Sequence, residues 1–461
     1  MLWYTEHNKI KKEGCIHNMR ETVSLKKQYE IIDNSLRYRI HHLLPKLMKE
    51  CGIDLWVILC REYNEDPVFR TMIPSLCLTA RRLSCLVFVN GKDGFGAYNF
   101  GRPDERLAKI YTQGYTDTSK DQLKELAAFI REQNPAKIAV NTSKLSGICD
   151  GLSKELYDQL YEALEESDRE KLCSAYPLAT RWIEARTEEE LSRYRTVYAL
   201  AMNICEEAFS RKVITPGVTT TTEVEEWIAQ EINRLGLTFW FSPHVDIQRK
   251  GMPGVGSCGD IIQHGDLLHY DVGITYFGLC SDSQRLGYVL REDETEVPDY
   301  LKKGLEVTNR FQDIVAQEHI AGRTGNEILK SSLERAKQEG IRAMLYCHPI
   351  GFYGHSAGTV VGLWDKQEGT GAYGDFPLHY NTCYALELNT ESTVAEWNNQ
   401  LVRFCAEETV AFTEDGKLCY LYPGREKIFA ICIRAEKKSL QFNLDIMHNS
   451  FYNNGKCNLA L

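Results

Sequence analysis

The 461-residue sequence has no run of about 18 apolar residues, so no membrane-spanning helix is expected. Its opening stretch, MLWYTEHNKIKKEG, holds no apolar segment long enough for a secretory signal, and export is not expected either. No segment interleaves dense Lys/Arg with aromatics, and 64 acidic against 54 basic side chains give a net charge of −10. That balance argues against a polyanion-binding surface, hence against nucleic acid as a partner. The 16 cysteines show no paired spacing, and several (Cys205, Cys280, Cys347, Cys383, Cys405) lie in apolar runs. They read as reduced thiols packed as small hydrophobes in a cytoplasmic protein. Internal repeats, low-complexity tracts and a His-x-x-x-His chelate are likewise missing.

What is present is ordinary globular composition, 43% hydrophobic and 26% charged, in a chain long enough for two or three domains. Residues 1–29 are polar and mixed and are expected to form a poorly ordered lead-in. From 30 to 175, β-type runs such as GIDLWVIL (52–59), LSCLVFV (83–89) and KIAV (137–140) alternate with helical stretches such as KDQLKELAAFIREQ (120–133). That alternation predicts an α/β domain. A second domain, α+β and spanning 180–425, follows a break near YPLATRWIEAR (176–186). Its helices announce themselves by capping boxes, Thr187 with Glu190, Thr220 with Glu223 and Thr324 with Glu327, and two are stopped at Gly236 and Gly340. Residues 426–461 turn polar, carry little periodicity and are read as a tail.

Five acids and histidines with apolar surroundings form the candidate site. In DLLHYDVGITYFGLCSDSQRLGYVL (266–290) two β-rich arms flank a turn; with Tyr276-Phe277 as its loop, Asp271 and Asp282 pair across the ladder. Directly opposed acids destabilise a sheet unless a cation sits between them. LYCHPIGFYGHSAG (345–358) places His348 and His355 in a Gly-rich turn, one suited to a metal and the other to a substrate, with nothing local to choose between them. Glu387 within YALELNTE (384–391) needs a partner, because an unpaired buried carboxylate is costly. In LVRFCAEETVAFTEDG (401–416), alternation puts Arg403, Cys405 and Glu407 on one face and Phe404, Ala406 and Glu408 on the other, so either glutamate can face the site.

In its order of Asp, a second Asp eleven residues on, His in a Gly-rich turn, Glu in a strand and Glu ahead of Thr-Glu-Asp-Gly, the chain resembles the pita-bread (M24) metallopeptidases. The segments RWIEARTEEELSRYR and TPGVTTTTEVEEWI are similar to the opening helices of that catalytic domain, and residues 30–175 resemble the creatinase-type domain of the Xaa-Pro-cleaving branch. The resemblance implies that Asp271 is a terminal ligand of one metal, Asp282 and Glu407 (not Glu408) bridge both, and His348 binds metal while His355 contacts substrate. It makes Glu387 the terminal ligand of the second metal and the proton shuttle. It implies two divalent cations; the hard, oxygen-rich donors favour Mn²⁺, with Co²⁺, Zn²⁺ and Fe²⁺ as alternatives. A hydroxide shared by the metals would attack the scissile carbonyl.

The implied activity is removal of the residue before proline from peptide N-termini by a homodimer acting on short peptides. Xaa-Pro dipeptide hydrolysis, a creatinase-like amidohydrolase without metal and a silent peptide- or protein-binding module are the alternatives. Four features depart from the family pattern. Gln284 stands where a Thr follows the bridging Asp by two, and Cys405 where an Arg often precedes the last Glu. The stretch after His355 lacks the usual His-Glu continuation, and a further substrate histidine before Asp271 has only His244 as its counterpart. His269, two before Asp271 on the same strand face, reads as a hydrogen-bond partner of a carboxylate and not as a ligand.

Overall fold

The structure, a computed structural model, describes residues 21–92, 94–252, 254–256 and 259–432. Most of the expected lead-in and tail therefore lies outside the described residues. Within them, Ser24 accepts from the Lys27 amide and caps a helix Leu25–Tyr38, which begins inside the stretch assigned to the lead-in. Its polar KKQYE start hid the inward side carried by Leu36 and, just beyond, Ile40. At the other end, Phe429–Ile431 forms a strand inside the stretch assigned to the tail, too short for periodicity to register.

The first half builds a six-stranded sheet from β1 (Leu55–Arg61), β2 (Leu83–Gly91), β3 (Gly94–Asn99), β4 (Thr112–Gln113), β5 (Ile138–Val140) and β6 (Leu172–Ser174), ordered β4-β3-β2-β1-β5-β6. Central β1 reads LWVILC and is buried on both faces because helices cover both. Trp56 and Ile58 pack with Leu36, Ile40 and Leu44, while Leu55, Val57 and Leu59 pack with Ile130, Leu156 and Leu160. This is the α/β domain that the alternating runs predict.

In the second half all three capping boxes form, with Thr187, Thr220 and Thr324 each accepting from the backbone three residues on. Gly236 and Gly340 follow two of these helices at φ 69° and 73°, where a side chain would be strained. A three-stranded sheet of β7 (Thr238–Phe239), β10 (Ile274–Tyr276) and β11 (Leu279–Cys280) adjoins a nine-stranded one. The larger sheet contains β8 (His244–Gln248), β9 (Leu267–Asp271), β12 (Gln284–Val289), β13 (Arg342–Leu345), β14 (His348–Pro349), β15 (Thr382–Val394), β16 (Gln400–Phe412), β17 (Leu418–Tyr420) and β18 (Phe429–Ile431). Its main path runs β13-β15-β16-β12-β9-β8.

Helices Asp299–Glu318 and Gly325–Gln338 press Phe311, Ile314, Ile328 and Leu329 onto Tyr384, Leu386, Leu388 and Val410 of this sheet. One face is thus closed by apolar packing. The residues that alternate with those side chains share the other face, and the candidate ligands are among them. The loop between β14 and His355 is gripped by the first half: Arg39 lies over the rings of both Trp182 and Phe352, and the Tyr353 hydroxyl donates to the Pro67 carbonyl at 2.7 Å.

The hairpin turn differs from expectation. Tyr276 pairs with Leu279, so the two-residue loop is Phe277-Gly278, with φ 53° and 71°. Positive φ at both central positions is what a type I′ turn requires, and glycine is the residue that adopts it without strain. In this register Asp271 opposes Gln284, not Asp282. The slip is two residues, which leaves both acids on the same face; a slip of one would have separated them.

Candidate metal centre

Five adjacent strands contribute one residue each to a row of directly opposed positions. Glu387 on β15 faces Glu407 on β16, Glu407 faces Gln284 on β12, Gln284 faces Asp271 on β9, and Asp271 faces His244 on β8. Opposed residues point to one side of a sheet. On β12's approach Asp282 shares that side two residues before Gln284; its amide donates to Thr409 Oγ1 at 3.2 Å, and the Thr409 hydroxyl donates back to its carbonyl at 2.9 Å. His348 enters from β14, opposite Ala385, two residues from Glu387. Ladder geometry therefore brings all five candidate ligands together.

Asp282, His348 and Glu407 each offer a donor atom within 4.8 Å of the others and are buried. His348 Nδ1 faces the Pro349 carbonyl at 3.1 Å, which places the ring proton there and leaves the Nε2 lone pair free. Nε2 stands 3.5 Å from Asp282 Oδ2 and 3.8 Å from Glu407 Oε1. Those separations exceed a hydrogen bond but suit donors each about 2.1 Å from a common cation. Among the described residues, His348 Nε2, Asp271 Oδ1 and both Glu407 oxygens are buried without hydrogen-bond partners. None of the four acids has a Lys or Arg ion-pair partner among the described residues. Buried acceptors so left over fit a positive group that they would hold.

Electrostatics agrees with this reading. Burial first, and then the charge of Asp282, push Asp271 well above the usual carboxylate range. Burial and the neighbouring acids do the same to Glu387 and Glu407. Each carboxylate destabilises the next, so the cluster is short of positive charge.

Glu408, the alternative to Glu407, points to the helix-covered side. There Arg285 reaches its two oxygens at 2.8 Å each and the Tyr198 hydroxyl donates to it at 2.9 Å. Cys347, next to His348, is buried in the apolar cluster under the helices and does not join the site.

His355 lies beside the cluster, its ring 4.7 Å from that of His348 and 5.1 Å from that of Trp240. Burial, and then His348, hold its pKa below the ordinary value. Trp240 donates from Nε1 to the Ser281 carbonyl at 2.9 Å and is wedged between Gly273 and Gly354, where a Cβ at either position would strike its ring. Sequence periodicity gave no sign of this wall; the two glycines were its only trace.

His244 is half-exposed at the rim, 3.4 Å from Glu225 and 3.5 Å from Asp246. The structure places it across from Asp271, so it lines the site. His269 donates from Nδ1 to Asp246 Oδ2 at 2.9 Å and from Nε2 to Gln284 Oε1 at 3.0 Å. It is a partner of a carboxylate, as expected, but of Asp246. Burial opposes its charge, yet Asp246 outweighs that and raises the ring to about 9. Asp246 went unremarked in the sequence, although its position two after His244 in HVDIQ puts it on the same face.

The sequence model of metallopeptidase family M24 matches residues 192–414, a span that includes all five clustered residues. Residues 192–414 belong to metallopeptidase family M24. Over most of its length the chain also resembles solved structures. X-Pro aminopeptidase from Thermotoga maritima superposes with a TM-score of 0.60 at 17% identity, covering 84% of this chain and 100% of that one. Xaa-Pro dipeptidase from Bacillus anthracis gives 0.57 at 18% identity, with 88% and 100% covered. The N-terminal domain of the FACT complex subunit SPT16 from Cicer arietinum (chickpea) gives 0.55 at 11% identity, with 87% and 99% covered. At these identities the likeness is one of fold: the pita-bread fold with an α/β domain before it. A comparison with curated proteins found no match to the sequence.

Proposed function

We propose that the protein is a divalent-metal exopeptidase that cleaves the bond before proline at peptide N-termini. The observation that carries this reading is the five-residue cluster: Asp271, Asp282, His348, Glu387 and Glu407 share one sheet face, with buried acceptors unsatisfied and, among the described residues, no Lys or Arg to pair them. Membership of residues 192–414 in a metallopeptidase family supports it, as does the likeness in fold to an X-Pro aminopeptidase and an Xaa-Pro dipeptidase. Asp282, His348 and Glu407 would hold one cation and Asp271 and Glu387 would complete a two-metal set, with Mn²⁺ the best match to the oxygen-rich donors. Such cations acidify a water that they share and polarise a carbonyl.

The chain's own groups account for the remaining steps. Glu387, as a carboxylate on the site face, can take the proton that the shared water gives up and pass it to the departing amine. His355, kept neutral by burial and His348, can donate a hydrogen bond to the carbonyl oxygen as charge develops there. Trp240 supplies an apolar wall next to His355 that excludes water and suits a proline ring. His244 at the rim, its charge favoured by Asp246, would meet the peptide as it enters. We assign the protein to the cytoplasm and expect a homodimer, in line with the same reading. Among the described residues no helix is long and apolar enough to cross a membrane.

Aminopeptidase and dipeptidase are separated by assaying Xaa-Pro dipeptides against Xaa-Pro-Xaa tripeptides with Mn²⁺ added. Preferential hydrolysis of the tripeptide is expected. Hydrolysis of the dipeptide alone would make the protein a prolidase. Turnover of neither, in protein that binds metal, would leave a peptide-binding module.

A further inference from the structure

The residue at the centre of the five-strand row is Gln284, neither an acid nor a histidine. Its Nε2 donates to Glu387 Oε1 at 2.6 Å and to Asp271 Oδ2 at 3.3 Å. These are the two carboxylates proposed above as terminal ligands, one on β15 and one on β9, with the strand of Gln284 between them. A carboxamide has two N–H donors, and here both are directed at acids that repel each other. The opposite amide orientation would aim the carbonyl oxygen at Glu387 at the same short distance, lone pair against lone pair.

The orientation is also enforced from behind. His269 Nε2 donates to Gln284 Oε1, and His269 Nδ1 donates to Asp246 Oδ2, so the ring has acceptors on both sides. His244 stands 3.5 Å from the same Asp246 oxygen. A continuous chain thus runs from the rim through Asp246 and His269 to Gln284 and ends on both terminal carboxylates. Gln284, His269 and Asp246 are buried or nearly so, which holds each partner in one rotamer.

We propose that Gln284 is a positioning residue, a clamp that sets Asp271 and Glu387 for cation binding and is held in its donating orientation by His269 and Asp246. The proposal rests on the metal-binding half of the function above. It explains how a glutamine is accommodated where the family pattern carries threonine: the long side chain spans two strands and ties two ligands that a short hydroxyl would leave separate. Fixing ligands before the cation arrives removes an ordering cost from binding, and groups that orient ligands typically influence metal affinity about 10- to 100-fold.

The experiment is calorimetric titration of the metal-free protein with Mn²⁺ for wild type, Gln284→Met, Asp246→Asn and the double variant. Gln284→Met conserves volume and removes both donors; thermal unfolding confirms that each variant is folded. Gln284→Met is expected to weaken Mn²⁺ binding about 10- to 100-fold. Asp246→Asn should weaken it less, and the double variant should match Gln284→Met, because Asp246 is hydrogen-bonded toward the two carboxylates only through the clamp. If Gln284→Met fails to fold, Asp246→Asn and His269→Gln carry the test, each expected to weaken Mn²⁺ binding and the pair together no more than the stronger one alone. At saturating Mn²⁺, KM for peptide should stay at the wild-type value, since Gln284 touches ligands and not peptide.

Wild-type Mn²⁺ affinity in Gln284→Met, losses that multiply in the double variant, or a raised KM with unchanged affinity would each overturn the clamp. Wild-type protein that binds Mn²⁺ but hydrolyses no prolyl peptide would sink the proposed activity while leaving the clamp standing. Failure of wild type to bind Mn²⁺ would overturn both.

Discussion

Glu407 and Glu408 are consecutive residues of β16, each 1% exposed, and they face opposite worlds. Glu408 looks toward the helices and has Arg285 and Tyr198 for company. Glu407 looks into the site and finds His348, Asp282 and two more acids, with neither of its oxygens hydrogen-bonded among the described residues. Identical chemistry at nearly identical burial therefore has two meanings. On the helix side a buried acid comes with its counter-charge, carried by the fold. On the site side, under the proposed function, the counter-charge is a cation brought from outside, and the acids are held together at a cost until it arrives.

Exchanging the roles of these two glutamates breaks the comparison most forcefully. Glu408→Ala leaves the Arg285 guanidinium buried and unpaired and should cost about 3–5 kcal/mol of stability, read by denaturant unfolding. Glu407→Gln should do the reverse: no loss of metal-free stability, since one repelling charge is gone, but a fall in peptide hydrolysis on the order of 10³-fold and lower Mn²⁺ content. Equal destabilisation by both variants would erase the distinction.

The helix side should also carry its own, metal-independent pH response. His319 ends the helix Asp299–Glu318, packs on Tyr384 and donates from Nδ1 to the Val315 carbonyl at 2.8 Å. Burial lowers its pKa from 6.5 to about 4. A base with a depressed folded pKa contributes stability that is full above the unfolded value and lost as pH falls. Roughly 3 kcal/mol should therefore disappear between about pH 6.5 and pH 4. His319→Phe should flatten that limb, with or without Mn²⁺; an unchanged limb would move its origin elsewhere.

A gentler test stays within the site. His355→Ala should leave Mn²⁺ content near that of wild type while lowering kcat about 10²-fold, because the ring adjoins His348 but is not one of the clustered donors. Loss of metal in this variant would exchange the roles of His348 and His355.

The same contrast explains what was legible in the sequence. Capping boxes are local, three residues from donor to acceptor, and all three were readable. Buried strands such as LWVILC announce themselves by composition. Alternation identified the shared face of Asp271 and Asp282 even though the turn was placed one residue early, because a two-residue slip conserves parity. Choosing Glu407 over Glu408, or His348 over His355, needed the resemblance, since the deciding partners Arg285, Tyr198 and Asp282 are brought in by strand pairing across the sheet. The clamp was invisible for the same reason: Gln284 showed only as a departure from a pattern, and its ties to Glu387 and His269 span 103 and 15 residues of chain.

The central claim is that the site face is a metal centre assembled from carboxylates that lack their counter-charge. It is tested most directly by titrating chelator-treated protein with Mn²⁺ calorimetrically at pH 7 in two buffers of different ionisation enthalpy. Because Asp271 is raised to about 7 in the metal-free protein, cation binding is expected to displace a proton. The account predicts saturable binding with net proton release that grows as pH falls from 8 to 6, both lost in Glu407→Gln. Absence of binding, or binding that Glu407→Gln leaves untouched, would contradict it.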